Sequence, residues 1–237
     1  MPIKLEDLLF SGTTNEVNSN WTGANNIPGN SQPEETIETN SEILNSEIPD
    51  YLLNDPEVVG YPDLEMQEQI YDWVKESLPI HNYSVKDIGC GRGDFYKWVK
   101  TDKLGFDKPA DIRYLGIESK RSLVHAGRNK YPDIELFNND FLDVDLQTDY
   151  SICIGTLNDD HGRDKWEYFN EILNHALINT NRAIIFVLSS NNDNLPGYLD
   201  YPLSELFQVL NPNVPIQVDY SKFQDIYKLT VHIGSFN

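Results

Sequence analysis

The stretch that decides the fold is VKDIGCGRGDFYKWV, from Val85 to Val99. It opens with the end of an apolar run, continues through Gly89, Gly91 and Gly93, and closes on a helical pattern. Glycine lacks a Cβ atom and adopts positive φ readily, so such a turn lets backbone N–H groups approach a ligand closely. The stretch therefore predicts a strand, a ligand-binding turn and a helix.

Apolar periodicity on either side of this turn predicts alternating strands and helices. Predicted helices cover 64–79, 121–130, 164–178 and 202–210, with one more directly after the glycine turn. Predicted strands cover 84–88, 112–117, 134–137, 151–154, 183–188, 215–220 and 226–233. This order predicts an α/β sandwich with a mainly parallel seven-stranded sheet and an antiparallel C-terminal hairpin.

The first sixty residues differ in composition from the rest of the chain. Met1–Gly60 holds eleven acidic residues and one basic residue, and polar residues dominate positions 11–54. Such a segment buries too little apolar surface to offset its ordering entropy. We therefore predict an extended, low-complexity acidic N-terminal arm over 1–60 and a folded domain over 61–237. Apolar islands at 5–10 and 43–53 leave two interpretations open, an inert solvating tail or an arm that docks onto a protein partner.

Composition excludes several classes of function. The chain has 237 residues and a net charge of −20, which repels phosphate backbones and disfavours nucleic acid as a partner. Cys90 and Cys153 are too few for a disulfide framework or a zinc site, and they favour a reducing compartment. No secretory signal pattern and no apolar run of the ~20 residues needed for a membrane span is present. We expect a soluble cytoplasmic protein with no membrane partner and no metal.

Acidic residues follow the predicted strands at the edge of the sheet where a ligand would bind. Ligands of open α/β sheets lie at the carboxyl ends of the strands. Asp87 lies near the end of the first strand, Glu118 ends the second, and Asp140 follows the third. The distance from the glycine turn to Glu118 is close to the ~20 residues expected for an acid that binds a ribose diol. Structural alternatives stay open, since Glu118 could be a solvated strand end and Asp140 a turn residue that caps a loop.

The turn Asp87-Ile88-Gly89-Cys90-Gly91-Arg92-Gly93 resembles the first motif, D-x-G-C-G-x-G, of class I S-adenosylmethionine-dependent methyltransferases. The acid at the end of the second strand and the Asn-Asp pair after the third match the same family. The resemblance covers about 64–237 of the chain. It implies a Rossmann-like methyltransferase sandwich with S-adenosylmethionine as cofactor.

The resemblance also implies a role for each matching residue. Asp87 would accept hydrogen bonds from the cofactor ammonium group, Glu118 would bind the ribose hydroxyls, and Asp140 would bind the adenine amine. The other cofactor-binding residues that it implies are Gly89, Cys90, Gly91, Gly93, Ser119, Phe141, Gly155 and Thr156.

Methyl transfer from a sulfonium requires that the acceptor be positioned and desolvated, so a catalytic base is optional. The candidates after the fourth strand are Asn158, Asp159, Asp160 and His161, with Asn158 and His161 put first, although 159–161 could equally be the N-cap region of the next helix. An N-P-P-Y-type tetrapeptide is absent there, because Gly155-Thr156-Leu157-Asn158 takes its place. This departure disfavours methylation of DNA bases or protein glutamine.

Three hypotheses follow. The first is an S-adenosylmethionine-dependent methyltransferase acting on a small-molecule or protein acceptor. The second is a non-catalytic assembly or virion structural protein, with a methyltransferase-like scaffold and residues 1–60 docked onto partner subunits of a virus particle. The third, a nicotinamide-dependent enzyme, lacks its G-x-G-x-x-G spacing. An enzyme predicts an open cleft above Gly89, Glu118 and Asp140, whereas a scaffold predicts that protein fills this cleft or that the arm is buried in neighbouring subunits.

Overall fold

The computed structural model describes residues 49–100, 112–159, 162–190, 199–210, 215–220 and 225–233. All of them belong to one compact unit, Ile48–Asn237. His161 and residues 1–48 of the predicted arm lie outside the described residues. Among the described helices, none is both long enough and apolar enough to cross a membrane.

The described residues form seven strands, which follow the predicted positions closely. These strands are β1 (Tyr83–Ile88), β2 (Ile112–Glu118), β3 (Leu136–Asn138), β4 (Thr148–Ile154), β5 (Thr180–Ser189), β6 (Ile216–Tyr220) and β7 (Ile226–His232). The α-helices are α1 (Asp50–Asn54), α2 (Leu64–Lys75), α3 (Asp94–Lys100), α4 (Arg121–Lys130), α5 (Lys165–Ile178) and α6 (Leu203–Val209). Short 3-10 helices span Pro56–Val59, Phe141–Asp143 and Thr156–Asn158.

The strands pair into one sheet in the order β3-β2-β1-β4-β5-β7-β6. Strands β1 to β5 run parallel, and β7 runs antiparallel to both β5 and β6. This confirms the predicted mainly parallel sheet with its antiparallel C-terminal hairpin. The strand order reverses between β1 and β4, and open α/β sheets bind ligands at such a switch point.

Each face of the sheet buries its own apolar cluster, so the domain has three layers. Helices α5 and α6 cover one face, and α2 and α3 cover the other. Buried members of the first cluster include Phe169, Ile172, Phe186 and Leu206, and those of the second include Ile70, Val85, Phe95 and Ile185. Strand β5 contributes to both clusters, which explains why its sequence is a nearly continuous apolar run.

Side-chain caps fix where two of the helices begin. Asp63 Oδ1 accepts a hydrogen bond from the Met66 N–H at 2.7 Å, and Asp164 Oδ1 accepts from the N–H groups of Trp166 and Glu167. Such caps satisfy N–H groups that lack an intrahelical partner. The cap of α5 is therefore Asp164 itself, and Asp159 is left at the end of the preceding 3-10 helix.

Candidate active site

A cavity of about 340 Å³ opens at the carboxyl ends of the parallel strands, at the point where the strand order reverses. Its volume falls within the roughly 300–1,000 Å³ typical of small-molecule sites. Asp87 of β1, Glu118 of β2 and Ile154 of β4 all line it. Val58 and Val59 form part of its wall without filling it. In the part of the chain that the structure describes, the open cleft that the enzyme hypothesis predicts is present.

The glycine turn follows β1 with a left-handed backbone, since φ is 66° at Gly89, 58° at Gly91 and 77° at Gly93. The Oγ1 atom of Thr156 donates a hydrogen bond to the Ile88 carbonyl at 3.0 Å, so its side chain lies directly on the turn. A Cβ atom at Gly89 would overlap Thr156 Oγ1. Gly89 is therefore required by its backbone conformation and by this packing contact together.

Both carboxylate oxygens of Glu118 are held by backbone N–H groups. The Gly91 N–H donates to Oε2 at 3.0 Å, and the Lys120 N–H donates to Oε1 at 2.8 Å. The residue is 8% exposed and lines the cavity. A carboxylate oxygen can accept more than one hydrogen bond, so Glu118 is oriented in advance and keeps capacity for a ligand.

Asp87 is a buried carboxyl whose pKa is strongly perturbed. Burial raises its pKa from 3.8 to about 7; a hydrogen bond from Tyr114 opposes this rise, and the nearby charge of Glu118 adds to it. The Tyr114 O–H donates to Asp87 Oδ2 at 2.6 Å. A carboxyl that is perturbed by burial and lies in a cleft marks a candidate functional site. A cationic ligand group beside Asp87 would favour its ionised form.

The two residues expected on the adenine side occupy different environments. Asp140 is exposed, and its Oδ1 atom accepts a hydrogen bond from the Leu142 N–H at 2.9 Å. It therefore caps the 3-10 helix that follows, which is the structural role left open above, and it also lines the cavity. Phe141 is buried in the core against His175, with ring centroids 4.8 Å apart, and it borders the cavity as well.

The remaining predicted residues divide between the cavity and the protein interior. Those that line the cavity are Cys90, Ser119, Gly155, Thr156 and Asn158. Gly93 lies outside this lining, and a Cβ atom there would overlap Ile134. Burial raises the pKa of the Cys90 thiol well above its usual range, so this cysteine is a packing residue.

Asn158 has a structural partner, since its Nδ2 atom donates to the Leu199 carbonyl at 2.9 Å. Asp159 is exposed at the rim and lines the same cavity. The other candidate base, His161, lies outside the described residues.

Residues 50–60, assigned to the predicted arm, contact the glycine turn. The buried Arg92 guanidinium donates to the carbonyls of Leu52 and Asp55 at 3.0 and 2.8 Å. Lys130 donates to the Leu53 carbonyl at 2.7 Å. The sequence gives no signal for these contacts, because a backbone carbonyl accepts hydrogen bonds whatever its side chain.

Comparison with solved structures identifies the fold. The chain is similar to the PH0226 protein from Pyrococcus horikoshii OT3, with a TM-score of 0.58 and 11% identity over 79% of this chain and 100% of that one. It is similar to magnesium protoporphyrin IX methyltransferase from Synechocystis PCC 6803 with bound SAH, with a TM-score of 0.55 and 13% identity over 78% of this chain and 97% of that one.

A SAM-dependent methyltransferase from Aquifex aeolicus gives a TM-score of 0.53 and 12% identity over 76% of this chain and 100% of that one. No protein-family profile and no curated protein sequence matches the chain. At this level of identity the likeness is one of fold. The domain has the fold of class I S-adenosylmethionine-dependent methyltransferases.

Proposed function

We propose that the protein is an S-adenosylmethionine-dependent methyltransferase that acts on a small-molecule or protein acceptor. The observation that supports this most directly is the cavity at the switch point of the sheet, which brings Asp87, Glu118 and the glycine turn together. Magnesium protoporphyrin IX methyltransferase, which has the same fold, was crystallised with SAM and with SAH.

The residues of the cavity fit the parts of this cofactor. Asp87 would hold the ammonium group through a charge-assisted hydrogen bond, which is about twice as strong as a neutral one. The two oriented oxygens of Glu118 match two adjacent ribose hydroxyls. Asp140 and Phe141 would contact the adenine, and the backbone of Gly89 would border the amino-acid portion.

Bound S-adenosylmethionine would supply a methyl group that an acceptor lone pair attacks, with the electrons of the S–C bond passing to sulfur. Val58 and Val59 in the wall would help to exclude water from the reacting atoms and would restrict how the acceptor approaches. Asp159 is the carboxylate at the rim after β4, where it could accept a proton from the acceptor. Asn158 has no basic nitrogen, and through Leu199 it positions the chain beside the cavity.

Thermal unfolding of the full chain with SAH, the demethylated product, tests this proposal. A ligand that binds only the folded state stabilises it by RT ln(1 + [L]/Kd). We expect the unfolding temperature to rise with the SAH concentration, and not with adenosine diphosphate ribose at the same concentrations. A folded protein that responds to neither compound would contradict the proposal.

The scaffold hypothesis predicted a filled cleft or an arm buried in neighbouring subunits; the described residues leave the cavity open, and the second outcome stays untested. A protein partner for residues 1–60 stays a prediction, because residues 1–48 lie outside the described part of the chain.

A further inference from the structure

The carboxyl edge of the sheet divides into two chemically different halves. Under β1, β2 and β3 the cavity is lined by Asp87, Glu118 and Asp140. At the ends of β4, β5 and β7 the strands contribute Ile154, Val187 and Ile226, with the polar Thr156, Asn158 and Ser189 beside them. The proposed cofactor uses the polar half. The apolar half lies on the β4 side of the cavity, away from the three carboxylates assigned to the cofactor above.

The apolar half is a continuous surface built by neighbouring strands and one helix. Ile154 of β4 pairs with Val187 of β5, and Ser189 of β5 pairs with Ile226 of β7. From α2, Met66 and Ile70 pack in the same apolar cluster as these residues and also line the cavity. Ile154, Ile226 and Met66 are only half-buried, so apolar surface is left for a ligand to cover.

The charge of the cavity lining as a whole is negative. Among the described lining residues, Asp87, Glu118, Asp140 and Asp159 oppose one basic residue, Lys120, which follows Glu118 on the polar side. The sequence has no Lys or Arg between Lys130 and Arg163 or between Arg182 and Lys222. The connections after β3 and β5 therefore add no basic residue to the mouth of the cavity.

Among the described residues, two basic residues near the apolar half have acidic partners, and Lys222 lies outside the described residues. Arg163 forms an ion pair with Glu171. Lys228, two residues after Ile226, donates to the Trp73 carbonyl at 3.2 Å and lies 3.5 Å from Asp219 Oδ2. Neither lines the cavity. A carboxylate or phosphate group bound here, away from the sulfonium, would be desolvated without a cation from the described residues of this half, which is costly.

We propose that the methyl acceptor is a small molecule with an apolar body and no negative charge, seated on the apolar half. This inference rests on the proposed function and adds the substrate class. The acceptor's N–H or O–H group would face the polar half, and its lone pair would form the new bond to the methyl carbon. Its proton would leave to Asp159 or to water. A cationic amine would first lose a proton in the same way, because only the neutral amine has a lone pair.

Three phenols of one size and different charge test the inference on the full chain saturated with SAH. Tyramine is cationic, 4-ethylphenol is neutral, and 4-hydroxyphenylacetate is anionic. Calorimetry is expected to give dissociation constants at least about tenfold lower for the first two than for the anion, because only the anion is buried unpaired. Equal or tighter binding of the anion overturns the inference, and so does failure of all three to bind.

Variants separate this inference from the proposed function. Ile226→Glu is expected to weaken the binding of 4-ethylphenol at least about tenfold and to change the affinity for SAH less than about twofold. Ile80→Glu, at a surface site that is 77% exposed, is the matched control and should change neither. Asp159→Lys, at the exposed rim, should reduce the difference between the dissociation constants of 4-hydroxyphenylacetate and 4-ethylphenol. If Ile226→Glu binds 4-ethylphenol as tightly as the wild type does, the inferred acceptor site is wrong. If the wild type does not bind SAH, the proposed function is contradicted.

Discussion

The hydroxyl of Tyr114 on β2 donates a hydrogen bond of 2.6 Å to the Asp87 carboxyl on β1, and each residue is 3% exposed. Burial of the carboxylate raises the pKa of Asp87 to about 7, and the single hydroxyl donor lowers it by less than burial raises it. The cavity therefore holds a carboxyl that changes charge near neutral pH. This property leads to two predictions, one for ligand affinity and one for stability.

Affinity for S-adenosylmethionine should fall as the pH is lowered from about 7.5 to about 5.5, since protonation removes the charge that attracts the ammonium group. Below a pKa of about 7 the loss approaches about tenfold per pH unit. Calorimetric titration across this range measures it. Asp87→Asn should bind weakly with little pH dependence. A wild-type affinity that is constant over the range would rule out this role for Asp87.

The free energy of unfolding should fall as the pH rises, because the pKa of Asp87 is higher in the folded than in the unfolded state. Below the unfolded pKa of 3.8 the group's stabilising contribution is fully present, and it is lost as the pH rises through about 7. Asp87→Asn removes the buried charge and keeps an oxygen acceptor for Tyr114. We expect it to raise the free energy of unfolding at pH 8 by up to about 4 kcal/mol and by less than half of that near pH 5. Urea unfolding at both pH values measures the difference, and a variant less stable than the wild type at pH 8 would refute the explanation.

Gly89→Ala should destabilise the domain more than Gly155→Ala does. Both glycines have positive φ, 66° and 77°, which costs roughly 1–2 kcal/mol for alanine. Only at Gly89 does a Cβ atom also overlap Thr156, since nothing lies within 4 Å of a Cβ atom at Gly155. Urea unfolding should show that Thr156→Ala partly rescues Gly89→Ala. If the changes in free energy of unfolding for Gly89→Ala and Thr156→Ala simply add, the contact with Thr156 does not contribute to the destabilisation by Gly89→Ala.

Arg92→Ala should loosen residues 50–60 and destabilise the domain by about 1–3 kcal/mol, because it leaves the carbonyls of Leu52 and Asp55 without their donor, whereas Asp94 keeps Lys130 Nζ at 2.9 Å. Arg92 is 1% exposed, lies 2.6 Å from Asp94 and holds the carbonyls of Leu52 and Asp55. Amide hydrogen exchange over 50–60 should accelerate, and affinity for S-adenosylmethionine should fall. Arg113→Ala removes an exposed ion pair with Glu135 and serves as the control, with a change within about 0.5 kcal/mol. If amide exchange over 50–60 is the same in Arg92→Ala as in the wild type, Arg92 does not hold this segment in place.

Much of the fold was predictable because its signals are local. Helix α4 occupies the predicted residues 121–130, since its apolar face and polar flanks are continuous in sequence. Strand β4 begins at Thr148, three residues before its apolar run, because Asp149 pairs with Ser84 through hydrogen bonds that leave no hydrophobic pattern. The wall at residues 58–60 was not predictable for a similar reason. It depends on the charged side chains of Arg92 and Lys130 binding backbone carbonyls far away in sequence.

The sequence predicts those residues of the candidate site that belong to a local pattern. It does not predict those whose role depends on packing against distant parts of the chain. Asp87 of the motif and Glu118 at the end of β2 both line the cavity, and their roles in cofactor binding stay predictions. Gly93 has the spacing of the motif, yet its neighbours are Ile134 and Leu136, and only the folded chain reveals this. The apolar half is assembled from β4, β5, β7 and α2, so no single stretch of sequence encodes it.

The most direct test of the central claim is calorimetric titration of the full chain with S-adenosylmethionine and with SAH. Asp87→Ala and Glu118→Ala would be titrated in parallel, and Glu135→Ala, at an exposed acid away from the cavity, would be the control. The account predicts a dissociation constant of about micromolar order for the wild type and the control, and at least about tenfold weaker binding in the two cavity variants. A folded wild-type protein that binds neither compound, or cavity variants that bind as tightly as the wild type, would contradict it.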